Sequence, residues 1–287
     1  MLESELEVLL GAKIAASRSL GVGFGLQGLV LTLEDGRKLA VKAARDRAAG
    51  DGAGFQIEAF MLAELARLSD FPIPNVVHAE PGLLVMSYIE NDGGAITPAA
   101  ERDAASYVAA LHGIPGEAFG YARDTLIGPL PQPNRQMASW TAFFAEERLL
   151  AMGHAALDEG VLPAAEFSRL ERLAGKLDRY LTEPAYPSLL HGDLWGGNVL
   201  VKEGRIAGFV DPAIYFGHPE VELAFTTMFG TFGAPFFSAY EDLRPLEPGF
   251  HELRREIYNL YPTLVHLRLF GAGYLNGITR VLNRLGF

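Results

Sequence analysis

Hydrophobic positions along the chain follow two different periods. In the first part they form short runs, and residues 29–33 and 37–43 flank Asp35-Gly36, a dipeptide that tolerates positive φ and predicts an antiparallel hairpin. Residues 55–68 have a helical period, with Phe55, Ala59, Leu62 and Ala66 along one stripe, and Phe71-Pro72-Ile73-Pro74 stops that helix. Residues 83–89 read as a strand entering a hinge-like linker, Glu90-Asn91-Asp92-Gly93-Gly94. From Thr97 onward amphipathic helices dominate. Two interruptions stand out there. Alternate prolines at 129, 131 and 133 force an extended loop over residues 128–134, and residues 199–202 and 205–210 predict a second hairpin turned at Glu203-Gly204. The pattern predicts an α+β protein of two lobes, strand-rich over residues 1–90 and mostly helical over residues 91–287.

Composition narrows the function classes. With 287 residues, 49% of them hydrophobic, the chain can bury the cores of two packed lobes. A formal net charge of −11 repels nucleic-acid phosphates and favours a cationic, amine-bearing partner. There is no cysteine, which excludes disulfides and thiolate chemistry and suits a reducing cytoplasm. The acidic start lacks the basic and apolar regions of a secretory signal, and no apolar run reaches the roughly 20 residues of a membrane span, so a cytoplasmic protein without membrane contact is expected. Neither composition nor motif sets an oligomeric state.

Three sets of residues carry candidate chemistry. Gly23-Phe24-Gly25-Leu26-Gln27-Gly28 fits a glycine-rich phosphate loop, where missing Cβ atoms let backbone N–H groups approach phosphate oxygens. A strand follows it where a dinucleotide fold would have a helix, and position 48 is Ala48 where that fold would have an acid, so the pattern reads as a kinase-type lid or as a flexible turn. Lys42 alternates with apolar neighbours on the second strand, and Glu58 borders the apolar face of the helix. Buried together they predict an ion pair that would position nucleotide phosphates, although singly each could be a solvated charge.

The third set is Leu189-Leu190-His191-Gly192-Asp193-Leu194-Trp195-Gly196-Gly197-Asn198, followed by a hairpin that ends in Phe209-Val210-Asp211-Pro212. The spacing from Asp193 to Asn198 is that of a kinase catalytic loop. Asp193 is expected to serve an acceptor hydroxyl, with Asn198 and Asp211 as oxygen ligands for Mg2+. His191, between apolar residues, is expected to anchor the loop. Trp195 reads equally as a wall of the acceptor site or as a core residue. His218, Glu220 and Glu222 follow the metal motif, and charges at a helix start are the simpler reading of them.

These words, with Tyr215-Phe216-Gly217-His218, Glu220-Val221-Glu222-Leu223-Ala224 and Met228-Phe229-Gly230, resemble the fructosamine kinase (ketosamine kinase) family within the aminoglycoside phosphotransferase-like group. The likeness extends to residues 128–134, 140–148 and 250–274, and so covers most of the chain. It implies a protein-kinase-like fold and ATP-dependent phosphorylation, usually at position three, of the sugar in ketosamines, free or as glycated protein lysines, in deglycation. Carried across, it makes Asp193 the proton acceptor, Asn198 and Asp211 the magnesium ligands, Lys42 the phosphate anchor and Glu58 its partner. Gly23 and Gly25 would then cover the phosphates, and Ser87, Tyr88 and Ile89 would hold adenine. Trp195 and His218 are carried over as acceptor contacts that favour a ketosamine. The family's redox-sensitive cysteine in the glycine-rich loop is missing, so regulation through sulfur cannot operate there. A kinase for another small amine or sugar, such as an aminoglycoside, and a nucleotide-binding regulator are the competing readings.

Overall fold

The computed structural model describes residues 2–21, 23, 25–45 and 53–287. A short helix, α1 (Leu2–Leu10), precedes a five-stranded antiparallel sheet of β1 (Ile14–Leu20), β2 (Gln27–Leu33), β3 (Lys38–Ala43), β4 (Val76–Glu80) and β5 (Leu83–Ser87), in the order β1-β2-β3-β5-β4. Helix α2 (Ala53–Leu68) connects β3 to β4. The central strands are apolar on both faces because each face is covered. Leu39, Val41, Ala43, Leu83 and Val85 pack with Leu6 and Leu10 of α1, while Ala40, Leu84 and Met86 pack with Phe55, Ala59 and Leu62 of α2. Strand periodicity therefore puts Lys42 on the α2 side, with Ala40. The stripe on α2 runs through buried Leu65; Ala66, expected on it, is exposed. Helix α1 was absent from the sequence reading, and its i, i+4 leucines at 2, 6 and 10 are the signal for it.

The linker after β5 carries no secondary structure and is fastened to the helical lobe. Asp92 N–H donates to the Val201 carbonyl at 3.1 Å, and its carboxylate accepts the Glu203 N–H at 2.7 Å. Glu203 and Gly204 both have positive φ (51° and 72°), as a tight hairpin turn requires, and the Asp92 contact secures the non-glycine residue of the pair. Helix α3 (Pro98–Leu111) begins beside this turn. Thr97 Oγ1 accepts the Ala100 N–H at 3.1 Å as N-cap and donates to the Gly204 carbonyl at 2.6 Å. Thr97→Ala is expected to cost about 1–2 kcal/mol of stability, the sum of a cap and one hydrogen bond, while Thr97→Ser keeps both. Urea unfolding of the two variants checks this.

The helical lobe continues with the hairpin β6 (Thr125–Ile127) and β7 (Leu130–Gln132), whose second strand lies within residues 128–134, expected to be an extended loop. Next come α4 (Trp140–Phe143), a π-helical stretch Phe144–Leu150, α5 (Ala151–Asp158) and α6 (Ala164–Ala174). Strand β8 (Ser188–Leu190) leads to the hairpin β9 (Val199–Lys202) and β10 (Arg205–Phe209) and then to β11 (Tyr215–Gly217), which returns antiparallel beside β8. The chain closes with α7 (Pro219–Met228), α8 (Ala234–Leu243), α9 (Arg255–Tyr258), α10 (Leu260–Phe270) and α11 (Leu275–Leu285). Among the described residues no helix is long and apolar enough to cross a membrane. A strand-rich lobe joined through one linker to a helical lobe is the α+β, protein-kinase-like architecture.

Candidate active site

Lys42 and Glu58 meet on the α2 face of the sheet. Lys42 Nζ lies 2.7 Å from Glu58 Oε1 and 2.6 Å from Asp211 Oδ1, so one cation joins the two lobes. Burial alone would lower the Lys42 pKa, but the two carboxylates outweigh it and hold the pKa above its ordinary value. The ammonium therefore stays charged. Gly28 pairs with Lys42 across β2 and β3, which places the β1–β2 connection, with Gly23 and Gly25, at the Lys42 end of the sheet. Gly25 has φ +72°, and an added Cβ at Gly23 or Gly25 would meet only open space. Phe24 of the same motif lies outside the described residues, as does Ala48.

Hydrogen bonding narrows the expected adenine contacts. Ser87 N–H donates to Asn75 O at 2.8 Å and Tyr88 N–H to Lys38 O at 3.0 Å, so both donors are used within the sheet. Of the three residues, Ile89 retains a backbone N–H without a hydrogen bond among the described residues.

The catalytic-type loop follows β8. Asn198 Nδ2 donates to Asp193 Oδ2 at 2.9 Å and to the Asp193 carbonyl at 2.8 Å, and Asn198 Oδ1 has no hydrogen bond among the described residues. Asp211 has φ +55°, a left-handed conformation that Asp tolerates better than most residues, and its carboxylate is half-exposed. Val210 N–H bonds Asn198 O at 3.0 Å and Ala213 N–H bonds His191 O at 2.7 Å, tying the two loops together. Buried His191 acts within this strap. Its Nε2 donates to Val210 O at 3.1 Å and its Nδ1 accepts the Asp193 N–H at 3.3 Å. Gly192 has φ +84°, and a Cβ there would lie 2.0 Å from Ala213 O, so only glycine fits. Gly197 lies flat against the Trp195 ring, which a Cβ would meet at 2.4 Å.

Asp193 is pushed up to about 7, first by burial and then by the charges of Asp211 and Glu222, against the Asn198 hydrogen bond. It opens into a pocket walled by Ile127, Tyr215, Phe225, Tyr261, Val265 and His266. Trp195, 40% exposed, meets Phe229 edge-on at 6.1 Å, and Phe229 lies 5.0 Å from His266. An aromatic row thus runs from the catalytic loop to the pocket wall. His218, expected with the acceptor, does not line this pocket. Strand β11 carries it to the opposite end of the β8–β11 ribbon, where it caps α7 by accepting the Glu220 N–H at 3.1 Å.

Several residues that shape the site carried no sequence signal. Glu222, read as a helix-start charge, is fully buried; its Oε1 accepts the Gly192 N–H at 2.6 Å and its Oε2 bonds His112 Nε2 at 2.9 Å. His112 Nδ1 in turn bonds the Tyr240 hydroxyl at 2.8 Å. Gln132 braces the second loop through the Ala213 carbonyl at 3.0 Å and accepts from the Tyr261 hydroxyl at 2.7 Å. Fully buried Arg148 stacks 3.9 Å over Tyr215 and donates to Asn134 at 2.7 Å, so the proline-rich segment wedges beneath the site.

Asn198 Oδ1 and the Asp211 carboxylate are hard oxygen donors, a fit for magnesium. Among the described residues no cluster of three or more acidic or histidine side chains could form an all-protein cage, so phosphate and water would complete the shell.

Known proteins match this arrangement along nearly its whole length. The profile of the fructosamine kinase family matches residues 5–286. A Synechocystis protein assigned as a ketoamine kinase is 36% identical over 242 residues, 80% of this chain and 78% of that protein. Mouse ketosamine-3-kinase is 39% identical over 168 residues, 58% of this chain and 53% of the mouse protein. A crystal structure from Thermobifida fusca, assigned as a fructosamine-3-kinase, superposes with a TM-score of 0.85 at 33% identity, covering 99% of this chain and 98% of that one. The chain belongs to the fructosamine kinase family.

Proposed function

We propose that this chain transfers the γ-phosphoryl group of ATP to a sugar hydroxyl of a ketosamine, at position three, as a cytoplasmic deglycation kinase. The observation that carries this reading is the joined unit in which Lys42 bridges Glu58 and Asp211 while Asp193 shares Asn198 with it. The glycine-rich connection and Lys42 bind the phosphates, and Ile89 N–H receives adenine at the linker. A divalent cation held by Asn198 and Asp211 supplies charge neutralisation at the transferring group. Asp193 accepts the proton as the acceptor oxygen bonds to phosphorus and the bond to the ADP oxygen breaks. Positioning and charge do most of the work, since the described residues lining the pocket include no serine, threonine, cysteine or lysine to act as an activated nucleophile.

The acceptor enters past Trp195, Phe229 and His266, whose rings suit the apolar face of a sugar and the cationic amine beside it. That mouth is open, compatible with a free ketosamine or a glycated lysine. The acidic chain also attracts such a cation. Trp195→Ala is expected to raise the acceptor KM about 5–10-fold, the worth of one aromatic contact, with the KM for ATP unchanged.

Magnesium-dependent ADP formation with ribulosamine, fructosamine and aminoglycoside acceptors tests the function. Turnover on a ketosamine that stops when magnesium is chelated supports it. Turnover on an aminoglycoside alone replaces the substrate, and nucleotide binding with no turnover on any acceptor supports a regulator instead.

A further inference from the structure

A second cleft, of ≈ 410 Å³, lies at the end of the β8–β11 ribbon remote from Asp193. The register explains the separation. Tyr215 faces Leu190 at the catalytic-loop end, and Gly217 faces Ser188 two residues away, so His218 emerges on the far side. The cleft is walled by residues 182–185, the start of α7 and the end of α8 with residues 245–247.

Two of its three carboxylates are already bonded. Glu220 is held by Arg254 at 2.7 and 2.6 Å. Glu183 accepts from the Ser139 hydroxyl and from the N–H groups of Trp140 and Thr141. Glu247 is exposed.

The donors of the cleft are less fully used. Arg244 donates to the Tyr186 hydroxyl at 3.0 Å and stacks 5.7 Å from that ring, but forms no ion pair with a carboxylate among the described residues. His218 is only 7% exposed. Because its Nδ1 accepts the Glu220 N–H, its proton sits on Nε2, which has no hydrogen-bond partner among the described residues. Burial, with Arg254 and His112 nearby, pushes the His218 pKa down to about 3, so the ring is a neutral N–H donor. An arginine with no ion pair and an imidazole N–H with no protein acceptor, both among the described residues, line one cleft at the positive end of α7. Both can donate to an oxyanion.

We propose that this cleft is a second ligand site, distinct from the kinase site, that takes the phosphate or carboxylate group of a small metabolite between Arg244 and His218. The cleft wall includes Tyr240, the outer member of the chain through His112 and Glu222 to Gly192, so the site abuts the support of the catalytic loop.

The test reads binding and needs no turnover, so it stands or falls apart from the kinase reading. Full-length protein labelled with 15N-histidine is titrated at constant ionic strength with inorganic phosphate and, separately, with citrate. Magnesium and a non-hydrolysable ATP analogue fill the nucleotide site. The His218 Nε2–H signal is assigned by its loss in His218→Asn, which keeps an N-cap acceptor for α7. A saturable shift of that signal is expected with phosphate, citrate or both, and the more effective probe identifies the group. Arg244→Gln should raise the half-saturating concentration about ten-fold or more, the worth of one charged hydrogen bond, with the other histidine signals in place as a check on folding. No saturable shift with either probe, or an equal shift in Arg244→Gln, overturns the proposal.

Discussion

Asp193→Asn is expected to lower kcat by about 10²–10⁴-fold while leaving nucleotide affinity within a few-fold of wild type. Asparagine matches the carboxylate in shape, and its amide oxygen can accept the Asn198 Nδ2 bond in place of Asp193 Oδ2 with Asn198 unmoved, so the loss isolates the proton-accepting role. The environment is what makes Asp193 suitable. A carboxylate in water is too weak a base at neutral pH, whereas burial beside Asp211 and Glu222 pushes this one up to about 7. The base must be ionised to work, so kcat/KM should fall as pH drops below the Asp193 pKa. A cation at Asn198 and Asp211 moves that limb to lower pH, and the Asn variant should lack it. Steady-state ADP formation gives the rates and calorimetry gives the nucleotide affinity. A variant within about five-fold of wild-type kcat, well short of a general-base effect, would remove Asp193 from the chemistry.

What the sequence made legible was local. The Asp35-Gly36 and Glu203-Gly204 turns, the strand that carries Lys42 and the catalytic-type loop each depend on neighbours a few residues apart, and each is where the pattern put it. The Lys42–Glu58 pair was readable because strand parity and helix period each point one side chain at the same face. The contact of Lys42 with Asp211 spans 169 positions and was not. The same holds for Glu222, which shares a helix start with Glu220 and looks like it. Their partners separate them: Glu220 binds Arg254 beside the second cleft, while Glu222 turns inward to His112 and Gly192. His112 itself sits after an apolar run at the end of α3, and nothing nearby in sequence marks it as bonded to two other helices. The prolines predicted an extended loop at 128–134; the segment is extended, and residues 130–132 of it form strand β7. They gave no hint that Gln132 and Asn134 are buried hydrogen-bonding struts, because proline constrains its own backbone and says nothing of its neighbours' partners.

Replacing Glu222 should separate support of the loop from support of the fold. Glu222→Ala leaves the Gly192 N–H and His112 without their buried acceptor, at an expected cost of about 3–5 kcal/mol. Glu222→Gln keeps an acceptor for Gly192, and its amide can donate to His112 once the imidazole proton moves to the Tyr240 side, so most of that stability should return. The charge contributes as well. Burial alone would raise the Glu222 pKa, but bonds from His112 and Gly192 pull it below 4.5. A depressed folded-state value stabilises the fold above the unfolded value near 4.5. That contribution fades as pH falls through the folded value, so the gap between wild type and Glu222→Gln should narrow in acid. Turnover per folded molecule is the deciding readout. If the Gly192 bond merely held the lobe together, surviving folded Glu222→Ala would turn over normally in the cold. If it sets where Asp193 stands, an ångström of drift costs about 10²-fold in kcat even in folded protein, and Glu222→Gln recovers it. Normal kcat in folded Glu222→Ala would reduce Glu222 to a stabilising residue.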